Sequence, residues 1–420
     1  MHVGPIHAPA RPESRPTPRR LNICHVMATF PTLAETFIAN EIRALRALGH
    51  VVVPVVVEAA VVEAAAVEAA AVEPGDVAMQ PEDLPLRQEA IRLTEVETLS
   101  ALTAAAAHPA GLAAAMGFAQ RQDALPRRTL LRAAARLAYI AHARQCTHIH
   151  AHFARSAAAI AICAARIAGI TASFAGHASD LSVPETDLVL TLAAADLAVA
   201  GSENVAAAFR RLAPHARVRT IPIGVAAERF QPFAGPSNGR LLAVGRLLPC
   251  KGFSNLLDAL ARMDAPPPLD LVGGGPLADE LARRARDLGL GETVRFLGPR
   301  TAAWIAAEGP RYQGLVAPGV IAPDGARDIG PLVVREAMAM GLPVVASALP
   351  DLSETVDASC ARLVPPGDAD ALAGAVQWLA GLQSAERERL GAAGRARAQE
   401  RFSLRLQATQ LAGVFSTLHV

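Results

Sequence analysis

Val316 to Leu349 reads V-A-P-G-V-I-A-P-D-G-A-R-D-I-G-P-L-V-V-R-E-A-M-A-M-G-L-P-V-V-A-S-A-L. A short apolar strand opens it and ends in the Pro318-Gly319 turn. A loop with Asp324, Arg327 and Asp328 follows. Gly330-Pro331 then marks a helix start, because proline at the first helical position forfeits no hydrogen bond. The spacing predicts a helix from Leu332 to Met340, stopped at Gly341, with Pro343 opening a second buried strand. Strand, acidic loop, helix and strand make one βαβ step, which puts the loop at a carboxyl strand end, where open α/β sheets bind ligands. Asp328 and Glu336 stand eight residues apart across the loop–helix junction. The helix start adds free N–H groups and the positive end of a dipole, a setting suited to phosphate. Alone, the pair reads equally well as a helix N-terminal Asp with a solvated Glu.

The 420 residues suit two domains with large cores. Alanine swells the apolar fraction of 52%, favouring helices while adding little bulk. A net charge of +1 supplies no global field for nucleic acid, which is not an expected partner. The five cysteines (Cys24, Cys146, Cys163, Cys250 and Cys360) are scattered with no C-x-x-C, which fits a reduced cytoplasm. Residues 1–20 are rich in Pro and Arg, lack an apolar signal-peptide core and read as a disordered tail. Arg166 and Asp196 interrupt the two longest apolar runs, so no transmembrane span is expected.

Along the chain, Leu21–Met27 reads as a strand. Phe37, Ile38, Ile42, Leu45 and Leu48 then fall at helical spacing before Gly49, and Val51–Val57 reads as the next strand. Glu58, Glu63, Glu68 and Glu73 recur every five residues in Val/Ala and spiral around a helix rather than forming one face, so they carry no chemistry. Pro74–Pro85 reads as a linker-like loop, and Ala90–Arg144 as helical. Within the latter, Arg128, Arg132 and Arg136 form an i, i+4 stripe, either a solvated face or a basic face for anionic lipid. In His148-Ile149-His150-Ala151-His152 the alternation puts three histidines on one strand face, a spacing that can chelate a metal. No nearby carboxylate or cysteine completes a set, and no metal is expected.

A strand at Asp196–Ala200 leads into a helix opening at Ser202-Glu203-Asn204. Phe230–Gly239 is rich in Pro, Gly and Ser and marks the domain boundary. Leu241–Gly245 is a strand, after which Arg246 and Lys251 flank a tight turn before a helix from Phe253 to Arg262. Arg as a fork and Lys as a point charge, beside a helix start, suit a pyrophosphate. Leu269–Gly275 runs into glycines that satisfy G-x-G-x-x-A, but no acid ends the following strand Val294–Gly298, which disfavours a dinucleotide. Asp368-Ala369-Asp370 has a metal–nucleotide spacing, yet its place after Pro365-Pro366-Gly367 and before a helix reads as an N-cap. Phe402–Leu418 reads as a last amphipathic helix.

These motifs resemble glycosyltransferase family 4, in particular its exopolysaccharide and colanic-acid branch. G-R-L-x-x-x-K-G (Gly245–Gly252) is similar to the family's pyrophosphate motif, and Asp328 with Glu336 to its E-x7-E signature. Asp328 stands where Glu is usual, and Ile329-Gly330 where Gly-x is usual. F-P-x-x-x-E-T-F at Phe30–Phe37, H-A-H-F at His150–Phe153, F-A-G-H-A-S-D at Phe174–Asp180 and I-P-I-G-V at Ile221–Val225 resemble motifs of the same group. The resemblance implies a GT-B fold: two doubly wound Rossmann-like domains facing across a cleft. It assigns residues 21–230 to the acceptor side, 231–400 to the nucleotide sugar, and 401–420 to a helix crossing back. It further implies retaining transfer of a sugar from a nucleotide-diphosphate sugar to a hydroxyl acceptor, a saccharide or lipid-linked saccharide in surface or exopolysaccharide biosynthesis. No cofactor or metal is needed on this reading, and the place of work is cytoplasmic, with peripheral contact at the inner membrane face. Arg246 and Lys251 would stabilise the leaving diphosphate, Asp328 the sugar and Glu336 the ribose, with His177 beside the sugar. Gly245, Gly274, Gly330, Pro331 and Leu332 would shape the donor pocket. A same-fold nucleotide-sugar epimerase, or a degenerate member that binds without turnover, is the alternative.

Overall fold

A computed structural model describes residues 20–31, 35–57, 79–123, 125–177, 180–181, 185–323, 325–327 and 332–418. Val/Ile/Leu/Ala runs too apolar to show one polar face form strands buried on both sides, which requires parallel pairing with helical crossovers. The first sheet comprises β1 (Asn22–Met27), β2 (Val51–Val56), β3 (Ile91–Arg92), β4 (His148–His152), β5 (Thr171–Gly176), β6 (Leu197–Ala200) and β7 (Val218–Thr220). Their order is β3-β2-β1-β4-β5-β6-β7. The second sheet comprises β8 (Leu241–Val244), β9 (Leu269–Val272), β10 (Val294–Gly298), β11 (Leu315–Ala317), β12 (Val344–Ser347) and β13 (Ala361–Val364), in the order β10-β9-β8-β11-β12-β13. Both orders reverse direction once, between β1 and β4 and between β8 and β11. Those are the topological switch points at which doubly wound sheets leave a crevice.

Alternation within each strand divides the core. Cys24 and Val26 of β1, Ile149 and Ala151 of β4, and Ala172 and Phe174 of β5 enter one cluster, beneath the helices Arg127–Ala143 and Ser156–Ala168. Ile23 and Met27 enter the opposite cluster, where the helices Thr36–Ala47 and Leu404–Thr417 lie together. The second sheet is covered in the same way on its two faces.

Three expected boundaries shift. Ala90–Arg144 is not helical throughout: Ile91 and Arg92 pair with Val55 and Val56 as an edge strand, too short to show a period of two in sequence. The helices after it are Thr98–Ala106, Pro109–Ala119 and Arg127–Ala143, the second beginning at a proline and the third just after Pro126. Pro85 belongs to a helix, Leu84–Glu89, since its first turn tolerates the missing N–H. The last amphipathic stretch begins as a helix at Leu404, because Ser403 caps it by accepting a hydrogen bond from the Leu406 N–H, while Phe402 closes the preceding helix Ser384–Arg401. The acidic repeat Glu58–Glu73 lies outside the described residues.

Two of the contacts that join the units involve the helices of the second sheet. The Glu354 carboxylate accepts hydrogen bonds from the backbone N–H groups of Glu203 and Asn204, both at 2.8 Å, and so caps the helix Glu203–Leu212 of the other unit. Arg335 is buried, donates to the Ile223 carbonyl and stacks over the Phe402 ring at 4.5 Å. Helix N-terminal N–H groups have no partner of their own, so a carboxylate there gains from both hydrogen bonding and the dipole. Glu354→Ala should therefore lower stability by about 0.5–2 kcal/mol in thermal or denaturant unfolding, whereas an unchanged midpoint would reduce the contact to a surface coincidence.

Candidate functional site

The G-R-L-x-x-x-K-G loop follows β8 and the acidic loop follows β11, so the two lie side by side across the switch point of the second sheet. Backbone contact fixes them together. The Val320 N–H donates to the Cys250 carbonyl at 2.9 Å. Gly252 sits at φ +70°, and a Cβ there would lie 1.9 Å from the Pro318 carbonyl oxygen. Only glycine satisfies both the left-handed conformation and the close approach. The Lys251 side chain passes over Gly245, where an added Cβ would meet its stem at 3.4 Å. Arg246 is exposed and Lys251 part-buried.

The glycine run after β9 serves the same packing. The Leu247 N–H donates to the Gly274 carbonyl at 2.9 Å, and a Cβ on Gly273 would lie 1.8 Å from the Gly245 carbonyl oxygen. A side chain on Gly274 would press on Pro299 at 2.9 Å. These glycines let the loops after β8 and β9 nest, a demand that produces G-x-G-x-x-A without a dinucleotide.

Leu332 opens the helix Leu332–Ala339 and packs against the core beneath it, and Glu336 lies one turn further in. Glu336 is part-buried, and loss of water pushes its carboxyl up to about 7, with Arg229 opposing. Asp328, Gly330 and Pro331 lie outside the described residues, as does Asp324. Asp368 is a helix cap, accepting a hydrogen bond from the Ala371 N–H at 2.9 Å, and Asp370 pairs with Arg262 at the surface.

At the switch point of the first sheet the histidine face is occupied by more than the sequence promised. Register places His25 of β1 opposite His150 of β4, and His150 opposite Ser173 of β5. All these side chains face the helices Thr36–Ala47 and Leu404–Thr417. Glu41, on the first of these helices, is buried and completes the row, with Oε1 2.8 Å from His25 Nε2, 3.4 Å from His152 Nε2 and 3.6 Å from His150 Nε2. The expectation that no carboxylate joins the histidines is therefore corrected, because helix packing supplies one from another element. Burial pushes the Glu41 carboxyl up, but the histidines outweigh it and hold the group well below the usual carboxylate range. Its other oxygen accepts a hydrogen bond from Gln407 Nε2 at 2.7 Å, and Gln407 Oε1 accepts one from the Gly224 N–H at 2.7 Å.

His177 lies at the mouth of this row, its ring 5.3 Å from Phe37, 4.8 Å from Phe153 and 6.2 Å from His152. Phe153 itself takes φ +68°, unusual for a bulky residue, as β4 turns outward. The apolar surroundings push His177 down to about 3, aided by His152, so its imidazole is neutral. The Asp180 carboxylate accepts the His177 backbone N–H at 2.7 Å and holds the loop. Phe37, Glu41, His152, His177, Ile223 and Gln407 share one small pocket. Glu41 and Gln407 were missed in sequence. The available signal was position: Glu41 occupies the i+3 site of the Ile38, Ile42, Leu45 stripe, where a charge must be buried.

The family model for glycosyl transferases group 1 matches residues 238–381, the span that carries β8 to β13. The chain is 32% identical over 218 residues to the MMP alpha-(1->4)-mannosyltransferase of Mycolicibacterium hassiacum, an alignment covering 47% of this chain and 48% of that one. It is 28% identical over 173 residues to the amylovoran biosynthesis glycosyltransferase AmsK of Erwinia amylovora, covering 38% and 41%. The chain thus spans about half the length of the curated relatives it matches. Among solved structures, a glycosyltransferase from Rickettsia africae superposes with a TM-score of 0.70 at 15% identity, over 96% of this chain and 99% of that one. Anabaena Alr3699/HepE in complex with UDP-glucose superposes with a TM-score of 0.68 at 20% identity, over 95% and 100%. Two doubly wound parallel sheets with these neighbours are the GT-B fold, and it is the second unit that matches the glycosyl transferases of group 1.

Proposed function

We propose that this chain moves a sugar, with retention at the anomeric carbon, from a nucleotide-diphosphate sugar to a hydroxyl of a growing surface or exopolysaccharide, free or lipid-linked. The observation that carries this reading is the pairing of two loops at the switch point of the second sheet. One bears Arg246 and Lys251, the other leads into Glu336, and both lie within the segment matching group 1 glycosyl transferases. A diphosphate departing there meets a planar cation, a point charge and a helix start, the donors that developing negative charge requires. Arg246 and Lys251 take the part that a divalent cation plays in other glycosyltransferases. Glu336 accepts the ribose hydroxyls and Asp328 those of the sugar, while Gly245, Gly274, Gly330, Pro331 and Leu332 shape the donor pocket. His177, neutral, orients a hydroxyl across the cleft. The acceptor oxygen attacks from the face the diphosphate leaves. The C1–O bond electrons depart with the phosphate oxygen, which takes the acceptor proton. Residues 21–230 form the acceptor side and 231–400 the donor side on this reading. Exposed Arg128 and Arg132 suit peripheral contact with an anionic membrane face in the cytoplasm. Among the described residues no single helix is long and apolar enough to cross a membrane.

A panel of nucleotide sugars tested by thermal shift, followed by acceptor-dependent release of nucleoside diphosphate, examines the reading. Binding without release would leave a degenerate member. Arg246→Ala and Lys251→Ala should each slow transfer by roughly 10²–10³, and near-normal kcat in either would remove it from the leaving-group role. Asp328→Asn keeps volume but not charge and should lower kcat/KM by about 1.5–3 kcal/mol of transition-state stabilisation. Full activity would reduce Asp328 to a cap.

The raised pKa of Glu336 gives a pH test with a definite sign. Between its unfolded value of 4.5 and about 7 the folded state holds the extra proton, so this group's contribution to stability falls as pH rises through that window. Glu336→Gln should match the parent near pH 4 and exceed it at pH 8 by on the order of 1–3 kcal/mol, while nucleotide affinity drops. A melting-temperature difference independent of pH would contradict this account.

A further inference from the structure

We infer that His25, His150, His152 and Glu41 form a binding site for one divalent transition-metal ion of the zinc type, which locks the first β-α unit and β4 to the C-terminal helix. This goes beyond the transfer reaction, whose charges are handled in the other sheet. The geometry carries it. One ligand atom from each of the four residues lies within 4.8 Å of all the others, and all four side chains are buried. With metal–nitrogen bonds of about 2.0–2.1 Å, the corners of a tetrahedron stand about 3.3 Å apart. Glu41 Oε1 lies 3.4 Å from His152 Nε2 and 3.6 Å from His150 Nε2, and His152 Nε2 lies 3.4 Å from His25 Nε2. Of these four distances the His25–Glu41 contact, at 2.8 Å, is shorter than such an edge.

Outer partners hold the far atoms of three of the four ligands, as metal ligands need, whereas His152 Nδ1 is buried without a hydrogen-bond partner among the described residues. His150 Nδ1 is 2.7 Å from Ser173 Oγ, which fixes the ring with Nε2 toward Glu41. His25 Nδ1 lies 3.5 Å from Met27 Sδ, and Glu41 Oε2 accepts from Gln407 at 2.7 Å. His150 Nε2 is buried without a hydrogen-bond partner among the described residues, a ring nitrogen that hydrogen bonding leaves unused and that could serve a cation in its deprotonated form. Three imidazoles and one carboxylate are borderline ligands in the number a closed structural zinc site uses, which disfavours magnesium or calcium. Glu41 and His152 also line the small pocket beside His177, which puts two of the four ligands on a cavity wall. Because Gln407 holds the outer carboxylate oxygen and the Gly224 backbone together, occupancy would stiffen the return helix against the first unit.

The test uses the untagged full chain. Elemental analysis of the purified protein, and titration of chelator-treated protein with Zn²⁺ and Co²⁺, should show one ion per chain. The melting temperature should rise by several degrees at about 100 times the Kd. Bound Co²⁺ should give the intense visible bands of a tetrahedral imidazole–carboxylate site. His152→Gln and Glu41→Gln, which keep size and hydrogen-bonding capacity, should abolish both effects. Should either variant fail to fold, the Co²⁺ spectrum of the parent still decides. Absence of stoichiometric metal together with an unmoved melting temperature, or Co²⁺ bands that persist in folded His152→Gln, would overturn the site and leave a hydrogen-bonded polar core. Neither result depends on sugar transfer, so failure here is distinct from failure of the proposed reaction.

Discussion

A carboxylate buried between a sheet and two helices must be compensated in place, because its desolvation costs several kcal/mol if it is left unpaired. Glu41 meets that demand from two directions. His25, His150 and His152 surround one oxygen, and Gln407, from 366 residues further along the chain, holds the other. The first sheet, its covering helix and the C-terminal helix are therefore committed to one arrangement. Phe415 adds to it by lying 4.3 Å from the His148 ring and 5.0 Å from that of His150. A purely apolar interface would tolerate small rotations of the returning helix; a buried, directional network tolerates few.

The second unit is organised by backbone rather than by side-chain charge. Its cations stand on a loop whose shape is set by contact with two neighbouring loops, through Gly252 against Pro318 and through Gly273 against Gly245. Side chains at these glycines would push the loops apart and displace the segment that carries Arg246 and Lys251. The Glu354 cap, the Arg335 contact with Ile223 and the hydrogen bond from the Ala302 N–H to Gln80 all bridge the two units. Arg335 adjoins Glu336 in sequence, so the helix that carries Glu336 and the linker leaving the first sheet are in direct contact.

Much of this was legible beforehand. Strand–loop–helix alternation identified two doubly wound sheets, since buried parallel strands leave continuous apolar runs and their crossovers leave helical ones. Gly49 and Gly341 mark helix ends through their left-handed conformations, at φ +89° and +73°. Asp368 declares its cap by preceding a helix, and Arg246 and Lys251 are visible because loop chemistry depends on residues close in sequence. The edge strand Ile91–Arg92 was not legible, for two residues carry no period.

The sequence alone determined the alternation of elements, the helix boundaries set by Ser, Asp, Gly and Pro, and the local cationic loop. These rest on interactions within a few residues of one another. Tertiary structure alone decided what the histidine strand faces. His25 reaches His150 only through strand register, Glu41 only through the rotation of its helix, and Gln407 only through a return from the far end of the chain. Register and helix packing are set by the sum of the core contacts, and no local pattern records that sum.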